Sequence, residues 1–430
     1  MRRCDSVLRR QDSKKPIHSI PALLIIFTLL GIGAVTCLAQ ASLEEFRSAL
    51  SAKGGFTSDD LSAVERGEIV IKLLPVVDKR EVAVCGVARL RGTPEVIVKA
   101  FKESMAQQNI KSILAIGRFS NPPTLADVET LSLENRDIEE LKQCAVGKCE
   151  MKLSAAMIGR FHQEVNWTAP DYQHQARRLF RQMLVDYVRD YRARGGAALI
   201  EYHDQRRAVS IREEQQALLD RTLYVNDFTP EFVSYLKNFP NSESSNVESS
   251  INWTKLKFGL KPVIIVTHVA TYGRSHNNAQ QILSMSNQIY ANHYFDSSLA
   301  VTTVISFLKN EGVSDSYLLY TNHSRADSLA GSFSRVKRGL VESESIEKLN
   351  ALLLQTRANV EVVSINQSGA IPASPSERIS DWMFRGTRQY AWLFVLVVLG
   401  VLIVLSRRNA KRMQVRARNG AKRNINPLVA

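Results

Sequence analysis

The chain has 430 residues, more than one ordinary domain needs, so one large or two moderate domains are expected. Hydrophobic residues make up 45% and charged residues 23%, which excludes a disordered or fibrous chain. The net charge of +14 imitates a nucleic-acid binder, but it sits at the two ends and leaves the middle nearly neutral, so no nucleic acid is expected as a partner.

Residues 1–19 carry six basic and two acidic side chains, and an apolar run follows from Ile20 to Leu38. Small residues at Ala39 and Ala41 suit a signal-peptidase site, so residues 1–41 read as a secretory signal peptide or an uncleaved N-terminal anchor. Near the other end, residues 389–406 form an uncharged run just long enough to cross a hydrocarbon core. Tyr390 and Trp392 stand at its entry as interfacial aromatics, and Arg407 and Arg408 close its exit. The tail, residues 407–430, holds eight basic and no acidic side chains. Positive flanks stay cytoplasmic, so a single-pass protein is expected, with residues from about 42 to 388 outside the cytoplasm, on the periplasmic face of a bacterial inner membrane. The basic tail can also meet anionic lipid headgroups.

Within the exported body, Ile69–Leu74 and Glu81–Ala88 alternate as strands, with Asp78-Lys79-Arg80 as the turn. Thr93-Pro94-Glu95 opens a helix with an N-cap threonine and a first-position proline. Residues 111–118 read as a strand, 137–144 as a short helix and 149–161 as another strand. Cys144 and Cys149 frame a short glycine-containing loop, which in an oxidising compartment reads as a disulfide. Half of a metal site is the rival, but no second Cys or His pair completes it, so no metal is expected.

The clearest helix starts near Thr168-Ala169-Pro170, with apolar residues from Ala176 to Tyr191 at spacings of three and four. Its other face carries Arg177, Arg178, Arg181, Arg189 and Arg192, either a solvated face or one lying on lipid headgroups. Gly195-Gly196 ends it, and Thr229-Pro230-Glu231 opens a further short helix. These elements give an N-terminal lobe over 42–240, and residues 241–252 read as a polar boundary loop. Residues 253–363 then form a second lobe: an antiparallel meander with runs at 253–272, 281–295, 299–307 and 317–320, followed by a helix from about Ser343. A Gly/Pro/Ser spacer over 364–388 leads to the span.

The fold class is therefore α+β, an antiparallel sheet with a long C-terminal helix and extra helices in a central insertion. A strand pair, the Thr93-Pro94-Glu95 helix, a later meander and a long final helix resemble the START-like (helix-grip) superfamily over residues 67–105 and 253–362. The resemblance implies an apolar cavity between a curved sheet and the last helix, and a membrane lipid or hydrophobic small molecule as ligand.

No nucleophile elbow, zinc-protease helix, P-loop or dinucleotide fingerprint occurs, and no cofactor is expected. His293, Asp296, His323 and Asp327 are the catalytic candidates, since imidazole with carboxylate is the minimum for acid–base work. Tyr290, Tyr294 and Arg325 are candidates for holding a ligand, and Arg325 can instead pair with Asp296 or Asp327. His268 and His276 read as flanks of a turn at Tyr272-Gly273-Arg274. Three functions follow in order: a non-enzymatic binder of a lipid or other hydrophobic ligand, a membrane-bound hydrolase or transferase, and an envelope scaffold for an unknown protein partner.

Overall fold

The computed structural model describes residues 43–222, 229–242, 246–276, 279–308, 314–330 and 334–367. The signal segment, the 389–406 span, most of the spacer and the basic tail lie outside these residues. Among the described residues no helix is long and apolar enough to cross a membrane.

The elements follow one another as α1 (Leu43–Gly54), α2 (Ser58–Glu65), β1 (Val70–Leu73), β2 (Glu81–Arg91), α3 (Pro94–Asn109) and β3 (Ile113–Arg118). Next come α4 (Asn135–Leu141), α5 (Ala155–Glu164), α6 (Tyr172–Arg194), β4 (Glu201–Tyr202), β5 (Val209–Ser210), α7 (Ile211–Leu219) and α8 (Pro230–Asn238). The meander is β6 (Val247–Leu256), β7 (Val263–His276), β8 (Ala279–Ala291), β9 (Phe295–Leu308) and β10 (Ser314–Ala326), and α9 (Ser334–Gln367) closes the described chain.

Eight strands form one antiparallel sheet in the order β1-β2-β10-β9-β8-β7-β6-β3. The outermost strands are its shortest, at 4 and 6 residues. The protein is thus α+β, with a large antiparallel sheet and a long C-terminal helix. The expected first lobe supplies β1, β2 and β3 to the sheet that the meander builds, and the two are joined by backbone hydrogen bonds along β2 and β3.

Alternation along the strands divides the core by face. On one face Val82, Val84 and Leu90 of β2 meet Ile97, Phe101 and Met105 of α3 and Leu349, Leu352 and Leu353 of α9. There is no room for a side chain at Gly86, where a Cβ would stand 2.9 Å from both Leu349 and Leu353, so α9 rests directly on β2. The opposite face carries three further clusters. Phe46 and Leu50 of α1 pack on Cys85, Val87 and Leu319. Phe180 and Leu184 of α6 pack on Trp253, Val266 and Tyr290. Phe232 of α8 and Leu218 of α7 pack on Tyr272, Met285 and Leu299.

Several expectations need correction. Residues 149–161 are not a strand: Ser154 accepts from the Met157 backbone and caps α5, whose Met157, Ile158 and Phe161 follow helical spacing. The polar stretch 241–252 is loop only in part, because β6 starts at Val247 and buries Ser250 and Asn252 inside the sheet. The run 253–272 is two strands with a turn at Gly259, and no turn occurs at Gly273, which lies inside β7. The last helix begins at Ser334, nine residues before Ser343, and ends past 363 at Gln367. Asn252 and Asn322, both in glycosylation triplets, are buried and so closed to modification in the folded protein.

Candidate functional site

The residues nominated from sequence separate into two buried clusters. His293 and Tyr294 lie in the β8–β9 turn, where Tyr294 adopts φ +64°. Its hydroxyl accepts the Leu260 and Lys261 amides at 3.1 and 2.9 Å, which fixes the β6–β7 turn against it. Both ring nitrogens of His293 face oxygen acceptors, the Glu150 carbonyl and Asp137 Oδ1, each at 3.1 Å. His323, on β10, instead points Nδ1 at Glu81 Oε1, 3.0 Å away. The two histidines share no partner. Tyr290 is buried among Phe180, Tyr187 and Tyr202, and its hydroxyl has no hydrogen-bond partner among the described residues.

Asp296, Asp327 and Arg325 belong to one charge network at the end of the sheet. Lys152 Nζ reaches Asp327 at 2.5 Å, Asp296 at 2.8 Å and Asp204 at 3.3 Å. Arg80 contacts Asp78, Glu214 and Asp296 at 2.6, 2.8 and 2.8 Å. Arg325 contacts Glu81 at 2.8 Å and Glu214 at 2.7 Å, and Arg221 reaches Glu81 at 3.1 Å. The expected pairing of Arg325 with Asp296 or Asp327 is absent from these contacts, because Arg80 and Lys152 take those carboxylates. Both Asp296 oxygens are occupied by cations, and Glu81 is covered by His323 and Arg325. Such a network clamps the β1–β2 turn, the 152 and 204 loops, α7 and the ends of β9 and β10 together, burying Asp296 and Glu81 while Asp78 and Asp327 stay partly exposed. Lys152, Arg80, Glu81, Asp204 and Glu214 carried no local signal in the sequence.

The network titrates. Burial, with the nearby charge of Asp327, raises the Asp296 carboxyl from 3.8 to about 7 against the pull of Lys152 and Arg80. Burial also raises Asp204, whereas hydrogen bonds from His323 and Arg325 overcome burial at Glu81 and hold it low. A carboxyl raised on folding adds stability that is complete below about pH 4 and lost as pH rises through its folded value near 7. Asp296→Asn, which imitates the protonated acid at every pH, is therefore expected to gain on the wild type between pH 4.5 and pH 8, on the order of a few kcal/mol. Paired urea melts at the two pH values measure this. A difference independent of pH would contradict the assignment.

Cys144 and Cys149 are joined by a disulfide, with Cα atoms 4.5 Å apart. Among the described residues no cluster of His, Cys, Asp or Glu is arranged to hold a metal ion. The arginine face of α6 is mostly occupied at home: Arg177, Arg181 and Arg189 donate to the carbonyls of Leu133, Glu129 and Pro123, tying the 119–135 segment to the helix. Arg178 stays exposed.

Open space is found at a different place. A cavity of about 630 Å³ lies between the end of α6, α7, the end of α8 and the sheet face opposite α3 and α9. Leu199, Leu219, Leu236, Phe239, Met285 and Leu299 supply apolar wall, and Arg212, Glu213, Asp220 and Lys237 also border it. On the sheet floor are His268 of β7 and Asn287 of β8, which pair directly across the strands. His268 is 4% exposed, and burial, helped by the charge of Arg192, lowers its imidazole from 6.5 to about 3. It is thus an uncharged ring at any ordinary pH. Tyr191 Oη lies 2.9 Å from Nδ1, and Phe239 packs its ring 4.5 Å from the imidazole. Nε2 of His268 and Oδ1 of Asn287 are buried with no protein partner among the described residues. Alternation along β7 already puts His268 on the face of Val266 and Ala270, but only the fold brings Tyr191 and Phe239 onto its ring.

No protein-family model matches this chain, and no curated protein is significantly similar to it, so the case for a function rests on this site.

Proposed function

We propose that the protein binds a lipid or other hydrophobic small molecule in the cavity beneath α7 and α8, and performs no reaction on it. The observation that carries this reading is a buried, uncharged His268 whose Nε2 is unpartnered at the floor of an apolar-walled cavity. A volume of about 630 Å³ falls within the roughly 300–1,000 Å³ typical of small-molecule sites. Mostly apolar walls with a few placed polar groups are what an amphipathic ligand needs.

The order of strand pair, helix, meander and long final helix within one sheet supports the START-like resemblance. The cavity sits on the other side of the sheet from α9, however, where that resemblance would not put it. The disulfide favours an oxidising compartment, and with the basic ends and two apolar runs it supports a body held outside the cytoplasm on a membrane anchor. A tethered binder stands next to the bilayer that supplies its ligand. The hydrolase or transferase alternative gains less from the geometry: His293 and His323 each meet a carboxylate, but both rings are buried, apart from one another, and neither borders the cavity.

Native mass spectrometry of the full chain released from detergent, followed by lipid extraction, tests the proposal. A stoichiometric apolar passenger is expected, and Leu299→Trp, which fills the cavity, is expected to lose it while keeping the circular dichroism of the wild type. A passenger-free mass that does not change after incubation with membrane extract would overturn the reading.

A further inference from the structure

We infer that the cavity takes an amphiphile with a zwitterionic head, its anionic group held by Arg212 and Lys237 and its cationic group by Asp220. This inference rests on the cavity being a binding site, and deepens it. It is carried by exposed charges at the cavity wall that the fold itself leaves unpaired.

Helix α7 forms one wall, and Arg212, Gln216 and Asp220 all border the cavity from it. Residues four apart stack along one face of a helix, so the three make a single stripe about 12 Å long. All three are exposed, as is Lys237 on α8, so a ligand in the cavity can reach them. Gln216 Nε2 donates to Asp220 Oδ1 at 2.7 Å and holds that carboxylate on the stripe. Among the described residues none of Arg212, Glu213, Asp220 and Lys237 has an ion-pair partner. The arginines of α6, by contrast, are tied to backbone carbonyls.

The corner at Gly195 and Gly196 gathers the cations at one end. A Cβ on Gly196 would lie 3.8 Å from the Arg212 guanidinium. The Phe239 carbonyl presses on Gly195, which brings Lys237, two residues earlier, to the same corner. Glu213 borders the cavity beside Arg212, so this end has two cations against one anion, and the far end has Asp220.

This order of charge runs against the helix. A macrodipole favours acids in the first turn and bases in the last, yet Arg212 lies in the first turn of α7, Asp220 is its C-cap and its last turn holds no base. Of the first-turn acids, Glu214 is already taken by Arg80 and Arg325. A ligand anion at Arg212 and a ligand cation at Asp220 complement the side chains and the dipole together. A head with its charges a few bonds apart, in contact at about 3 Å at each end, spans the stripe. An anion alone leaves Asp220 unpaired, a cation alone meets Arg212 and Lys237, and an uncharged head uses neither end.

The probes share one chain: octylphosphocholine, octyl phosphate, octyltrimethylammonium and octyl glucoside, titrated calorimetrically into the full chain in maltoside micelles, with empty micelles as the reference. Octylphosphocholine is expected to bind roughly fivefold tighter than each of the others. Arg212→Gln is expected to bring it within about twofold of octyltrimethylammonium, and Asp220→Asn within about twofold of octyl phosphate, while the melting temperature holds. Should either variant fail to fold, the ligand order on the wild type decides alone. Any other probe binding as tightly as octylphosphocholine, or both variants keeping the wild-type order, overturns the zwitterion assignment but leaves the hydrophobic site standing. Glycerophosphocholine, which has the head without the chain, binding as tightly as octylphosphocholine would remove the apolar part of the reading instead. Failure of all four octyl probes to bind, together with a passenger-free native mass, removes the site itself.

Discussion

Lys152→Met is expected to cost about 3–5 kcal/mol of folding stability, the range for removing one partner from a buried ion pair. The side chain is 4% exposed and is the only cation in contact with both Asp204 and Asp327 among the described residues. Without it three carboxylates face one another, with only Arg80 left on Asp296. They respond by taking up protons, so the loss grows as pH rises and is smallest near pH 5. Adding Asp296→Asn to Lys152→Met is expected to restore part of the loss, because it removes one of the stranded charges. Urea denaturation of the two single variants and the double variant measures the coupling. A loss under 1 kcal/mol, or a double variant weaker than the sum of the two changes, would show that the network does not hold the sheet end.

Gly195→Ala is expected to cost roughly 3 kcal/mol or more, from two independent causes. Gly195 follows α6 at φ +55°, a region costing an L-residue about 1–2 kcal/mol. A Cβ there would also lie 1.8 Å from the Phe239 carbonyl oxygen, so the backbone after α8 has to move, adding about 1–3 kcal/mol. Phe239 and the neighbouring Gly196 border the cavity, so the same displacement is expected to weaken ligand binding in the fraction that folds. Thermal melts with and without membrane extract separate the effects. Wild-type stability in this variant would mean that the α6–α8 junction yields easily.

Much of the architecture was legible because its signals are local. Thr93 and Pro94 announce α3 through cap chemistry, and the apolar run at 82–88 announces β2, which is buried on both faces. Strand β6 was hidden for an equally physical reason. Its polar half puts Ser250, Asn252 and Thr254 inside the fold, so alternation of burial does not coincide with alternation of polarity. Residues 149–161 misled because Met151 and Leu153 alternate before Ser154 switches the chain to a helical period. The charge network was out of reach: Lys152 meets its aspartates 52, 144 and 175 positions away. Asp296, Asp327 and Arg325 were picked out for the wrong neighbours. His268 was noticed and misread, since nothing in its local sequence shows that it lies inside a strand with Tyr191 and Phe239 on its ring.

The placement of β2 between β1 and β10 carries a cost in time. Glu81 and His323, which meet across that seam, are 242 residues apart. In a chain made from its N-terminus at about 5–20 residues per second, roughly 10–50 s pass between the emergence of the two sides. Until then β2 has only the four-residue β1 beside it and offers its other flank of unpaired amides and carbonyls to any extended segment nearby. The protein leaves the ribosome with its β2–β10 seam open until the last strand is made, so slow closure of the sheet is expected.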